Sequence, residues 1–116
     1  MTTFIEAINV NDLNNGEMKA VVLEGHEILL TRLNDKYYAT NNRCPHFGGK
    51  LAQGKLDGTV VTCPLHGSQF DLTSGKVVRW LKGSGLLSSV GKALKGPRDL
   101  TSYKVKVESD KLLVEI

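Results

Sequence analysis

The chain has 116 residues, with 15 Lys and Arg against 12 Asp and Glu, 41% hydrophobic and 6% aromatic, which is the size and balance of one small globular domain with no room for a second. No stretch approaches the ~20 uninterrupted apolar residues of a membrane helix, and Met1-Thr2-Thr3-Phe4 lacks a basic region followed by an apolar run, so a cytoplasmic protein without a membrane span is expected. Two cysteines (Cys44, Cys63) and three histidines (His26, His46, His66) are all the chain holds of either type, which excludes a disulfide-dense scaffold and a four-cysteine metal site.

Short β-like segments open the chain. Residues 4–8 and 19–23 are separated by the turn-rich 11–16, Glu24-Gly25 breaks the second run, and 26–33 reads as its hairpin partner. Asn34-Asp35 marks another turn, and 36–40, rich in aromatic and β-branched residues, reads as a further strand of a meander. His26 opens a strand and is expected at or near the surface.

The middle differs. Residues 41–76 hold Gly48, Gly49, Gly54, Gly58, Gly67 and Gly75, two of the three prolines and both cysteines. Glycine-rich backbone inside a β protein marks sharp turns or close approach to a ligand, so this stretch reads as loop-built and ligand-bearing.

Beyond it, Leu86, Leu87, Val90 and Leu94 have helical spacing, with Ser84 as a cap and Gly96-Pro97 as a stop, so a short basic helix competes with an ordered loop over 80–96. Four glycines in that window weaken the helix. Residues 103–107 alternate with period two, 108–111 turn, and 112–116 return, closing the chain on a hairpin. Net charge is +3, split into +7 over residues 76–106 and −4 over the remainder, a distribution suited to docking on an acidic protein surface; the bland alternative is a face of solvated lysines.

Both cysteines and two of the three histidines fall into one pattern: Cys44-Pro45-His46, sixteen intervening residues, then Cys63-Pro64-Leu65-His66. Each half places a thiolate and an imidazole within one tight segment, and proline stiffens it, so little chain entropy is lost when metal binds. Two soft sulfurs and two borderline nitrogens suit zinc or an iron–sulfur cluster and not calcium or magnesium. Two packed thiols beside unrelated histidines, or a Cys44–Cys63 disulfide, explain the matched pairs poorly.

The run Cys44-Pro45-His46-Phe47-Gly48-Gly49-Lys50-Leu51, then Gly54-Lys55-Leu56-Asp57-Gly58, then residues 63–76 from Cys63-Pro64-Leu65-His66-Gly67-Ser68 to Gly75-Lys76, closely resembles the signature of Rieske [2Fe–2S] proteins, in particular small soluble Rieske-type ferredoxins. The resemblance implies an all-β fold: an antiparallel sandwich or barrel base from 1–40 and 71–116, carrying a small loop-built cluster-binding subdomain at about 41–70, the whole chain being one domain. It implies one [2Fe–2S] cluster per chain, with Cys44 and Cys63 on one iron, His46 and His66 on the other, and Ser68 donating a hydrogen bond to a cluster sulfur. Respiratory members of the family carry two further loop cysteines where Gly49 and Leu65 stand here, and a tyrosine where Phe70 stands, so a potential in the low to middle part of the about −150 to +300 mV Rieske range is expected.

A Rieske oxygenase also needs a mononuclear iron held by two histidines and a carboxylate, and after the cluster only His26 remains. The expected function is therefore one-electron transfer, not catalysis by the chain itself, from a reductase to a terminal oxygenase or another redox acceptor. The expected carrier is a monomer without nucleic-acid or membrane partners. The alternatives are a tightly bound Rieske-like small subunit of a multi-subunit reductase such as nitrite reductase, with residues 80–98 as its fixed interface, and a structural Cys₂His₂ zinc module.

Overall fold

A computed structural model of the chain describes residues 3–43, 49–64, 67–79 and 99–116. Cys44, His46, His66 and the 80–96 helix or loop fall outside the described residues. Within them the backbone is antiparallel β, with two single-turn 3₁₀ segments and no α-helix. The strands are β1 (Phe4–Asn9), β2 (Glu17–Leu23), β3 (His26–Leu33), β4 (Lys36–Asn41), β5 (Lys55–Asp57), β6 (Val60–Thr62), β7 (Gln69–Asp71), β8 (Val77–Arg79), β9 (Ser102–Tyr103), β10 (Val105–Glu108) and β11 (Lys111–Glu115). The 3₁₀ turns are Val10–Asp12 and Leu51–Gln53.

Three sheets result, in the orders β1-β11-β10, β2-β3-β4-β9 and β5-β6-β7-β8. The meander and the closing hairpin stand where the sequence pattern puts them. Glu24-Gly25, Asn34-Asp35 and Ser109-Asp110 all have positive φ, the pair of left-handed residues that makes a two-residue hairpin turn match the right-handed twist of its strands. The strand expected over 103–107 divides at Lys104: Tyr103 pairs with Ala39 in the central sheet, whereas Val105 pairs with Val114 in the first sheet. The chain changes sheets there.

Strand β3 explains the layering. Ile28, Leu29 and Leu30 are all fully buried, an unbroken apolar run where a half-solvated strand would alternate. Ile28 and Leu30 enter one core with Ile8, Leu13, Leu23, Ala39, Leu112 and Val114, between the first and central sheets. Leu29 points the other way, into a second core with Leu51, Val61, Cys63, Phe70, Leu72 and Leu100. Successive side chains on a strand face opposite sides, so β3 carries both cores, and each of its three buried aliphatics contributes about 1.5–3 kcal/mol.

The expectation that residues 41–76 are loop-built holds only in part: three strands of the third sheet lie within them, and the fourth, β8, follows directly. All four strands of that sheet are three residues each, too short to show a period, and glycine flanks β5 on both sides.

Candidate metal centre

The first loop leaves β4 through Asn42-Arg43 and returns through Gly49-Lys50 into the Leu51–Gln53 turn. Arg43 and Lys50 pair as an isolated antiparallel bridge, closing its stem. Asn42 clamps that stem three times: its N–H donates to the Glu27 carbonyl (3.1 Å), its carbonyl accepts from Leu51 N–H (2.7 Å), and its side-chain Oδ1 accepts from Ala52 N–H (2.9 Å). It is 3% exposed. Next to it, Asn41 faces the other way. Its Oδ1 accepts from Thr101 N–H (2.7 Å) and its Nδ2 donates to the Arg43 carbonyl (2.6 Å).

Outside the stem, Arg43 forms a two-pronged ion pair with Glu27, Nε to Oε2 at 2.5 Å and Nη2 to Oε1 at 3.0 Å. The hydrogen bonds from Arg43, with the positive charges of Arg43 and Lys50, hold the Glu27 carboxyl below its ordinary pKa against the opposing effect of burial. Both side chains are part-exposed, so the pair orients the loop's foot more than it stabilises the fold.

The second loop is the β6–β7 connection. Cys63 N–H donates to the Ser68 carbonyl (2.7 Å) and Gly67 N–H donates to the Cys63 carbonyl (3.1 Å), so the hairpin closes tightly across its base. Gly67 has φ of 74°, a backbone conformation that costs a residue with Cβ about 1 kcal/mol or more. Gln69 Nε2 donates to Thr62 Oγ1 (3.2 Å) one rung below. Cys63 is a free cysteine, 3% exposed, packed in the second core; Ser68 and Phe70 are wholly buried beside it.

Of the five site residues expected from sequence, the structure thus brings Cys63 and Ser68 to one hairpin base, and Cys44, His46 and His66 lie outside the described residues. Among the described residues no cluster of three or more His, Cys, Asp or Glu could hold a metal. His26 lies exposed at the start of β3, as expected of a residue outside the centre. The residues present fit an iron–sulfur group: Cys63 is a buried free thiol in apolar surroundings, on a hairpin base closed by backbone hydrogen bonds. A soft sulfur donor on a pre-formed loop is what iron–sulfur ligation needs.

Residues 3–89 match the Rieske [2Fe–2S] domain family. This chain belongs to that family. The Rieske chain is 30% identical over 115 residues, 97% of its length and 95% of the relative's, to the ferredoxin component of the naphthalene 1,2-dioxygenase system of Pseudomonas putida. Among solved structures, it superposes on the ferredoxin of carbazole 1,9a-dioxygenase from Nocardioides aromaticivorans IC177 with a TM-score of 0.79 at 24% identity, covering 97% of this chain and 96% of that one. It also matches a chain in a complex of reduced oxygenase and oxidised ferredoxin of carbazole 1,9a-dioxygenase, with a TM-score of 0.76 at 25% identity, covering 96% and 91%.

The Rieske chain therefore carries one [2Fe–2S] cluster and works as an electron carrier rather than as an enzyme by itself. No helix among the described residues is long and apolar enough to cross a membrane. Sequence reasoning singled out Cys44, His46, Cys63 and His66 as candidate ligands because thiol and imidazole are chemically distinctive. It missed Asn41, Asn42 and the Glu27–Arg43 pair; the one signal was two adjacent asparagines just before the first cysteine, which read only as the end of a strand.

Proposed function

We propose that the chain is the free ferredoxin component of a ring-hydroxylating dioxygenase system, taking one electron at a time from a reductase and delivering it to the terminal oxygenase. The observation that carries this reading is the match to a ferredoxin component over 97% of this chain and 95% of the relative. In this reading Cys44 and Cys63 hold one iron, and His46 and His66 hold the other. When bound, the cluster accepts and releases a single electron. Two thiolates and two neutral imidazoles leave its oxidised form neutral, where four thiolates would give it two negative charges, so the added electron meets less repulsion.

Cys63 would tie its iron to the apolar core, and the adjacent Pro64 is exposed. Lys76 and Lys104 are exposed and add positive charge to the surface offered to an acidic partner. Lys106, by contrast, is engaged by Glu108 at 2.8 Å and lies 4.5 Å from the centroid of the Phe4 ring. The carrier works in the cytoplasm as a monomer.

The test is reconstitution. NADH-driven hydroxylation of an aromatic substrate is measured with a dioxygenase reductase and terminal oxygenase, with and without this chain, across a range of salt concentrations. Turnover that requires the chain and weakens with salt supports the reading. Purification only as a stoichiometric subunit of a larger reductase overturns it.

A further inference from the structure

Two cluster-bearing loops need a fixed separation, and one short element of this chain spans the gap between their stems. The Leu51–Gln53 turn receives the first loop. At its near end, Ala52 N–H is held by Asn42 Oδ1. At its far end, Gly54 N–H closes the turn on the Leu51 carbonyl (2.9 Å), and Gly54 then lies against Thr62, the residue before Cys63. A Cβ on Gly54 would overlap the Thr62 carbonyl oxygen and lie 3.1 Å from its carbon. The backbone of Gly54 is at φ −84° and ψ −165°, a conformation open to any residue, so glycine is needed here for proximity alone. Between the two ends, fully buried Leu51 packs in the same core as Cys63 and Phe70.

We infer that the Leu51–Gly54 turn is the spacer that sets the separation of the two cluster loops, with Asn42 and Gly54 as its positioning residues. The inference rests on the ligand reading above, because there each iron draws one ligand from each loop. Any change in loop separation is then felt at both irons together. A pre-organised site tolerates only about 0.5 Å of displacement, and a methyl group inserted between Gly54 and the Thr62 carbonyl exceeds that. Neither residue touches the iron in this account; both act through the backbone segments they hold.

The experiment uses cluster-loaded full-length protein and four variants: Asn42→Ala, Asn42→Asp, Gly54→Ala and, as a control, Leu112→Ala in the other core. Three quantities are read: the electron paramagnetic resonance g-values of the reduced protein, its midpoint potential, and the rate of iron loss to a chelator. Asn42→Ala and Gly54→Ala are expected to shift the g-values and the potential, and to weaken iron retention about tenfold. Asn42→Asp keeps an oxygen acceptor for Ala52 N–H and should restore all three. Leu112→Ala should lower the melting temperature while leaving g-values and potential unchanged.

Wild-type g-values and potential in both Asn42→Ala and Gly54→Ala would overturn the spacer, as would an equal shift in Leu112→Ala. Should Gly54→Ala not fold, the Asn42 variants decide alone. Retention of a native spectrum by Cys63→Ser or His66→Ala would instead overturn the ligand reading, and the spacer with it.

Discussion

Ser68 is wholly buried next to Cys63, and its carbonyl already receives the Cys63 N–H. In the proposed ligand reading its hydroxyl would donate to a cluster sulfur. A hydrogen bond to that sulfur favours the more negative, reduced state, so Ser68→Ala should lower the midpoint potential by about 60 mV, a tenfold change for a one-electron couple. Voltammetry at fixed pH checks this, and a rise would show that the hydroxyl does not reach the sulfur. Phe70→Tyr should act in the opposite direction and raise the potential. Because the Phe70 ring is sealed in an apolar core, the added hydroxyl should also lower the melting temperature. In the sequence, Cys44, His46, Cys63 and His66 stand out as candidate ligands by type and spacing, and Ser68 only through the resemblance to the Rieske family. The roles of Asn42 and Gly54 were not legible, because an amide that caps a loop and a glycine that admits a neighbouring carbonyl look the same on paper as any other polar or turn residue.

At the scale of elements, the hairpins β2–β3, β3–β4 and β10–β11 were legible because each pairs a long alternating or apolar run with a turn of two left-handed residues. The third sheet was not, since three-residue strands have no period to detect and are held by side-chain turn closures instead. Asp71 is one such closure. Its Oδ1 accepts from Thr73 N–H (2.8 Å) and Thr73 Oγ1 (2.6 Å), while its carbonyl accepts from Gly75 N–H (2.6 Å), so the β7–β8 turn is built on this one residue. The Thr73 hydroxyl bond, with the Thr73 amide and Thr59 hydroxyl, lowers the Asp71 pKa against an opposing effect of burial. A folded carboxyl below its unfolded value of about 3.9 contributes stability in full above that value, and the contribution is lost as pH falls through the lowered folded pKa. Asp71→Ala should thus cost about 1–2 kcal/mol at pH 7, and the difference from wild type should shrink at acid pH, below the unfolded carboxyl value. Urea unfolding at pH 7 and at acid pH measures it; an undiminished difference at low pH would show that the charge is irrelevant to the turn.

Considered whole, the molecule has two cores joined through β3, and only one of them contains a proposed ligand. The core of Ile8, Leu13, Leu23, Ile28, Leu30, Ala39, Leu112 and Val114 is built from the first 39 and last five residues, so it closes without the cluster. The core around Cys63 draws Val61 and Phe70 from three-residue strands, which by themselves bury little, and Leu51, Leu72 and Leu100 from turns and loops. Metal binding to a site of this kind is coupled to the order of the segments that supply the ligands. Removing iron by chelation should therefore unfold the molecule unevenly. Amides of Leu113 and Val114 should keep their protection against hydrogen exchange, while those of Val61 and Phe70 should exchange at least about tenfold faster, a local loss of about 1.4 kcal/mol. Leu112→Ala should do the reverse: it should cost about 2–5 kcal/mol of overall stability and leave the iron content at two per chain. Uniform loss of protection on chelation would show that the two cores fold as one unit, and unchanged exchange at Val61 and Phe70 would show that the third sheet is self-sufficient.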